Sequence, residues 1–405
     1  MALSKCVGMG PFDDPGPNGD TTYPGTPYSD LRYPGVRGFF TDTHTRWVRF
    51  FAEWEYWEPG SSSNPSSKAY QQAQFATDVN IAFARQLGLR VILCTRSFPS
   101  FANNSNDPFV FPPDQNLTNT GSPYSNWAFY LMNRYHPVNR FNQLGNSNPI
   151  VDPRYRWVDF FEVVNEPNLE CHPQTNAAHK TALMFNTCHG IARYLNSRKT
   201  VNGQLTGSRP LRLLGPATAD ADPSANVTSY DTFAGQLLDA LQQLNFNFKS
   251  NIFGWSHHNY ADVKNRMPMQ GSRAQRLRSV LAGRWGGYPS PSVNDPFIHL
   301  DEGGYVRPKG TRDSTDRDKT QNSDLARAIK RLKSNTGAGQ PGDGIAMFTN
   351  FLFYTDMYFQ SGTNGTGWTG FDSGLCKQAP KPPNSPPADP TALERPAYGT
   401  WKTQF

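Results

Sequence analysis

Eight short runs rich in β-branched and aromatic residues recur along the 405-residue chain, and a helix-like stretch follows most of them. The runs are Ser4–Gly8, Trp47–Phe51, Leu89–Cys94, Trp157–Val164, Leu211–Gly215, Ile252–Ser256, Phe297–Leu300 and Gly344–Phe351. Between them, Tyr70–Leu87, Tyr124–Arg134, Ala177–Asn196, Tyr230–Leu244 and Ser323–Ser334 read as helices. The first carries Phe75, Val79, Phe83 and Leu87 at helical spacing and stops at Gly88. A last helix is expected over Arg395–Trp401, opened by Pro396 near its first turn. Strand, loop and helix in repetition require parallel strands, since a parallel pair needs a long crossover between its members. Eight such units predict an α/β chain closed into a (β/α)8 TIM barrel, with residues 1–405 forming one domain.

The long irregular segments, 10–27, 95–123, 303–322 and 354–393, mostly follow strands. Loops after barrel strands gather at the C-terminal face, where a barrel of this kind places its working residues. The 34 Gly and 34 Pro residues fit long structured loops. Aromatic residues make up 13% of the chain, with 27 Phe, 17 Tyr and 9 Trp. Two readings of that richness stand open: a core built on Phe, or a surface of rings that pack on the C–H faces of sugars.

The remaining composition narrows the partners. The net charge of +6 comes from Lys and Arg spread along the chain, which reads as a solvated basic surface and not as a nucleic-acid footprint. No run of 18 apolar residues exists to span a membrane. The opening Met1-Ala2-Leu3-Ser4-Lys5-Cys6 lacks an apolar signal region, so a secreted or cell-surface setting requires a leader removed beforehand. The five cysteines contain no Cys-x-x-Cys pair, and neither a metal nor a cofactor is expected. Cys171 and Cys188 flank a short segment and are a disulfide candidate in an exported protein, while Cys94 reads as a buried small hydrophobe.

Two carboxylates stand out. Val163-Val164-Asn165-Glu166-Pro167 directly follows a β-rich run, which aims Glu166 into the barrel mouth and sets Asn165 beside it as a donor to a substrate hydroxyl. A strand-ending turn, with Asn and Pro chosen for backbone shape, is the plainer reading. Phe297-Ile298-His299-Leu300-Asp301-Glu302-Gly303-Gly304-Tyr305 likewise ends an apolar strand in Glu, and its glycines permit a sharp turn close to a ligand. Taken together, Glu166 and Glu302 fall on the fourth and seventh strands, facing each other across the mouth. Cleavage of a glycoside with retention needs two carboxyl groups about 5–5.5 Å apart.

On these motifs the chain resembles the clan of retaining (β/α)8 glycosidases that includes family 5 cellulases and mannanases and the family 39 enzymes. The resemblance implies that Glu166 is the acid/base, with Asn165 its partner, and that Glu302 is the nucleophile. It implies that Arg49, in the second strand, keeps Glu302 ionised. It further implies that the His-x-Tyr signature falls on His258 and Tyr260, with the tyrosine hydroxyl touching the nucleophile. A structural Arg and a surface His pair are the plainer alternatives. Trp54, Trp57, Tyr305 and Trp368 follow strands and are candidates to floor sugar subsites, as are Phe98, Phe101 and Tyr354. The chain departs from the family 5 pattern after the third strand, where Thr95-Arg96-Ser97 stands in place of a His. It departs again at the eighth, where Asn350-Phe351-Leu352-Phe353-Tyr354 lacks a Trp.

The function so implied is hydrolysis of a poly- or oligosaccharide by a monomeric, endo-acting retaining glycosidase. In this scheme Glu166 starts protonated, its pKa raised by the charge of Glu302. An inactive carbohydrate-binding barrel and a transglycosylase using the same two Glu residues are the alternatives. A phosphate-binding barrel fits poorly, because Glu302 beside Gly303-Gly304 would repel the anion.

Overall fold

The computed structural model describes residues 3–9, 31, 34–58, 68–118, 120–141, 152–171, 176–198, 200–201, 204–205, 210–224, 226–246, 252–266, 268–284, 297–304, 315–335, 345–351, 356–359, 368–371, 375 and 395–404. Eight strands alternate with eight principal helices. The strands are β1 (Ser4–Gly8), β2 (Trp47–Glu53), β3 (Arg90–Arg96), β4 (Phe160–Glu162), β5 (Arg212–Leu214), β6 (Gly254–His258), β7 (Phe297–Glu302) and β8 (Ile345–Phe351). The helices are α1 (Pro34–Asp42), α2 (Lys68–Gln86), α3 (Pro123–Arg134), α4 (Ala177–Arg198), α5 (Tyr230–Gln243), α6 (Arg273–Arg284), α7 (Thr315–Asn335) and α8 (Pro396–Thr403). Each strand pairs in parallel with its sequence neighbours, and β1 pairs with β8, so the sheet closes into a (β/α)8 barrel.

Period-two alternation along the strands builds the two cores. Val48, Phe50, Val91, Leu93, Phe161, Leu213, Trp255, Ile298, Leu300 and Phe348 point outward and join helix residues such as Ile81, Leu131, Phe185, Leu237, Leu277 and Ile329 in one large cluster. The inward positions Cys6, Trp47, Ile92, Phe160, Leu214 and Met347 form a separate plug inside the barrel. Trp47 stacks on Phe160 at 5.4 Å, and both rings meet His299 edge-on. Helix α8 completes the closure. Its Trp401 packs on Phe348, and the Lys5 ammonium of β1 donates to the carbonyl of Trp401 at 2.7 Å.

All eight expected strands form. Among the helices, α1 and α6 are additions. Gly35 and Gly38 dilute the helical signal of α1, and four Arg residues swamp the Ala274, Leu277 and Leu281 stripe of α6. Helix α7 begins at Thr315, inside a segment expected to be loop, and 354–393 contains a hairpin of Asp356–Phe359 with Trp368–Phe371. Phe75, expected on the buried face of α2, is 42% exposed. Cys171 and Cys188 are buried free thiols, not a disulfide; Cys188 faces α3, 3.2 Å from the Tyr124 hydroxyl. Cys376 lies outside the described residues. Among those residues no helix is long and apolar enough to cross a membrane.

Candidate active site

One turn of inward positions above the Trp47–Phe160 plug, the barrel interior changes from apolar to ionic. Arg49 of β2 is fully buried there and distributes its guanidinium over three other strands, β3, β4 and β7. Its Nε donates to Glu162 Oε2 at 2.8 Å and stands 3.1 Å from Asp301 Oδ2. Its Nη1 donates to Glu302 Oε2, and its Nη2 to Asn165 Oδ1, both at 2.8 Å, with Cys94 Sγ at 3.2 Å from Nη2. Such a fork holds several acceptors at fixed angles, which a single ammonium cannot do. The buried carboxyls Glu162 and Asp301 were not singled out from the sequence. Their signal was present: an acid at an inward position of an otherwise apolar strand. Burial, then the neighbouring Glu162, pushes the Asp301 carboxyl up to about 8.

Glu302 ends β7 and accepts a second hydrogen bond, from the Tyr260 hydroxyl to Oε1 at 2.9 Å. Burial raises its pKa, while the Arg49 guanidinium and the Tyr260 hydrogen bond pull the other way. Burial, followed by the Glu302 charge, pushes the Tyr260 hydroxyl well up, so it remains a donor. The glycine pair beyond Glu302 serves the backbone. A Cβ on Gly303 would collide with the Asn259 amide, and Gly304 has φ +119°.

Glu166 lies four residues beyond β4. Its N–H donates to the Ala217 carbonyl at 2.8 Å, while Asn165 N–H donates to that of Thr95, so the segment is pinned between neighbouring strand ends. Glu166 has φ +37°, a conformation unfavourable for a side chain with a Cβ and one that concentrates at functional sites. Its carboxyl is pushed up to about 8 by burial first and Glu170 next, with Arg96 and Arg49 pulling down. The expected cause, the charge of Glu302, is not the leading one.

The imidazole of His258 sits between the two acids. Nδ1 is 2.5 Å from Glu166 Oε1, and Nε2 is 3.5 Å from Glu302 Oε2. Burial lowers its pKa, so the ring is neutral and one nitrogen accepts while the other donates. Nδ1 facing a protonated Glu166 makes Nε2 the N–H, and that fully buried nitrogen has no hydrogen-bond partner among the described residues. Donor atoms of Glu166, His258 and Glu302 all lie within 4.8 Å of one another, a spacing that also suits a cation. The Arg49 guanidinium on Glu302 already supplies positive charge there.

The other expected residues are placed as follows. Asn165 is buried, and both ends of its amide are engaged: Oδ1 by Arg49, and Nδ2 by Glu170 Oε2 at 3.0 Å. One of the two Nδ2 hydrogens is thus engaged by Glu170. Trp54 and Trp57 are fully buried beside the mouth, not in it. Trp54 stacks on Trp127 at 5.1 Å, and Trp57 meets Tyr130 edge-on, so their rings pack on protein and offer no face to a sugar. They belong to a short helix, Trp54–Trp57, that turns back onto α3. Trp368 lies on the hairpin strand Trp368–Phe371. Tyr305 and Tyr354 fall outside the described residues. Arg96, which stands where family 5 enzymes carry a His, reaches Glu170 Oε1 at 2.6 Å and Glu53 Oε1 at 3.3 Å and screens the mouth beside Glu166.

No family model matches the chain, and no curated protein matches it in sequence. Solved structures do match. A family 39 glycoside hydrolase from the gut symbiont Bacteroides cellulosilyticus superposes with a TM-score of 0.53 at 13% identity, over 99% of this chain. The chain spans 63% of that protein's length. The endo-1,4-beta-xylanase XylE of Penicillium canescens gives a TM-score of 0.53 at 11% identity, over 99% of this chain and 93% of its own. The likeness is one of fold. It places the chain among eight-stranded barrels of the architecture these glycoside hydrolases use.

Proposed function

We propose that this barrel is a retaining glycoside hydrolase acting on a poly- or oligosaccharide, with Glu302 as nucleophile and Glu166 as acid/base. The observation that carries the proposal is the unequal treatment of two close carboxyl groups, one oxygen of each lying within 4.8 Å of one of the other. So close an approach is compatible with the roughly 5–5.5 Å between carboxyl groups in retaining enzymes and is shorter than the roughly 6.5–9.5 Å that leaves room for an inverting water. Glu302 receives Arg49 and Tyr260 as donors, which stabilise its carboxylate. Glu166, with a pKa of about 8, keeps its proton at neutral pH.

Glu302 Oε attacks the anomeric carbon as the glycosidic C–O bond breaks, and Glu166 delivers its proton to the departing oxygen. The glycosyl ester neutralises Glu302. Glu166, now a carboxylate, takes a proton from water, whose oxygen displaces Glu302 from the anomeric carbon. The sugar leaves with its configuration retained, and both acids return to their starting states. The similar folds of a family 39 hydrolase and a xylanase support a glycan substrate.

The test is release of reducing ends from a panel of neutral and acidic polysaccharides by the protein and by Glu302→Gln. Loss of a covalent catalyst should cost about 10³-fold or more in kcat. Equal rates in both proteins would sink the nucleophile assignment.

A further inference from the structure

On the outer wall of the barrel, away from the mouth, α3, α4 and the turn before α3 enclose a groove of about 470 Å³. That volume lies in the range of about 300–1,000 Å³ typical of small-ligand sites. Among the described residues only four large hydrophobics are exposed, and two of them, Phe129 (39%) and Tyr194 (46%), stand over this groove. Their rings lie 6.1 Å apart at 52°, forming an open angle, not a closed stack. The Arg198 guanidinium sits 4.8 Å over the Tyr194 ring and braces it. The rest of the wall is mostly hydroxyls and amides, including Thr120, Asn126 and Asn186, with Ile191 between them, and among the described residues the charge beside it is that of Arg198, on the Tyr194 ring.

Each feature selects a ligand class. With no charged side chain in the described wall, and the Arg198 guanidinium beside it seated on the Tyr194 ring, the groove presents no built counter-ion to a phosphate, a carboxylate or an ammonium. Two exposed rings favour an apolar face, and neutral hydroxyls and amides favour a ligand that both donates and accepts hydrogen bonds around its edge. A neutral pyranose combines these: a C–H face and an equatorial rim of hydroxyls. A protein partner fits less well, since a stable interface needs about 800 Å² per side with a contiguous apolar centre, and here the apolar part is two rings and Ile191.

We propose that the α3–α4 groove is a second carbohydrate site, which holds a stretch of neutral glycan against the outside of the barrel and keeps a polymer near the mouth. The choice of a glycan rests on the reading of the mouth as a glycosidase. The site itself rests on its own geometry. Gly190 offers a means of closing it: the residue lies on α4 in the groove wall, and a Cβ there meets nothing within 4 Å. Gly190→Glu therefore fills the groove with a bulky charge without disturbing the helix.

The experiment is affinity electrophoresis of full-length Glu302→Gln, which avoids turnover, through gels containing soluble xylan, β-1,3-glucan or β-mannan. Phe129→Ala/Tyr194→Ala, and separately Gly190→Glu, are added to that background, with far-UV circular dichroism and Tm as folding controls. The expected result is a loss of roughly tenfold in apparent affinity for at least one polymer in both variants. In the parent protein, the same changes leave turnover of a short aryl glycoside unaltered. Retardation that is equal with and without the changes, or absent on every polymer, overturns the site. A shift in oligomeric state by light scattering with unchanged retardation also overturns it, making the groove a self-association face. A parent protein without activity, but with retardation that depends on Phe129 and Tyr194, would overturn the reading of the mouth and leave this site standing.

Discussion

Two layers of the barrel interior, one turn apart on the same strands, have opposite characters. The lower layer, Trp47, Ile92, Phe160, Leu214 and Met347, is a dry plug in which rings stack on rings. The upper layer continues the same inward positions as Arg49, Cys94, Glu162 and Asp301, all fully buried. Parity along a strand decides only whether a side chain faces inward. Height along the strand decides whether it meets hydrocarbon or charge. The lower layer gains stability from area removed from water. The upper layer, with Glu302 beside it, gathers three carboxyls around one guanidinium, an arrangement that costs desolvation.

Removing the centre of each layer should separate these roles most sharply. Arg49→Met leaves Glu162, Asp301 and Glu302 without their cation, and should cost about 3–5 kcal/mol of stability. It should also lower kcat/KM by about 10³-fold, because Glu302 loses a charged donor. Phe160→Ala opens a cavity of comparable cost, about 3–5 kcal/mol, but with an activity loss no larger than its loss of folded protein. Denaturant titration beside initial rates distinguishes the two. An Arg49→Met variant that is unstable yet fully active when folded would break the functional half of the comparison.

A smaller effect sharpens the electrostatic half. The Asp301 carboxyl has a folded pKa of about 8 against an ordinary 3.8. Between those values the folded state holds a proton that the unfolded state has lost, so stability falls as pH rises through that window. Asp301→Asn copies the neutral carboxyl at every pH and should remove that slope, which amounts to at most about 1.4 kcal/mol per pH unit. Unfolding curves at pH 5 and pH 8 should therefore show the variant gaining on the parent as pH rises. Parallel behaviour at the two values would mean that Asp301 is ionised in the fold.

Much of this architecture was legible in the sequence because it rests on periodicity. Eight short apolar runs and the Asn165-Glu166 and Asp301-Glu302 strand ends are local patterns, whereas Arg49, His258 and Tyr260 come into view through the resemblance to the retaining glycosidase clan. What was not legible depends on contacts between distant segments. Trp54 and Trp57 follow a strand and read as subsite rings, but a single turn of helix folds them back against Trp127 and Tyr130. The bond from Asn165 to Glu170, five residues on, is likewise not announced by the Asn-Glu-Pro motif. The pairing of Glu162 with Asp301 joins strands 139 residues apart in the chain (301 − 162), and no spacing rule announces it. The strain at Glu166 is likewise a property of where neighbouring strands end and not of the residue type.

The subtlest expectation concerns what holds the proton on Glu166. Burial is the main cause, and Glu170 is the largest neighbouring charge that adds to it. Glu170 also neutralises Arg96 through a bond of 2.6 Å. Glu170→Gln therefore acts twice in one direction: it removes a negative charge that favours the protonated acid, and it frees a positive charge that favours the carboxylate. Both lower the pKa of Glu166, and the alkaline limb of kcat/KM, set near pH 8 by that group, should move toward acid by roughly 0.5–1 unit. The acid limb, which the proposed scheme assigns to Glu302, should move less, since the Arg96 charge reaches Glu302 only as a minor interaction beside its direct bond to Glu170. A rate profile whose alkaline limb does not move would mean that another group titrates there, and the proton-donor role would pass from Glu166. A profile narrowed mainly from its alkaline side would tie the asymmetry of the two carboxyls to the Arg96–Glu170 pair, in the Thr95-Arg96-Ser97 segment that departs from the family 5 pattern.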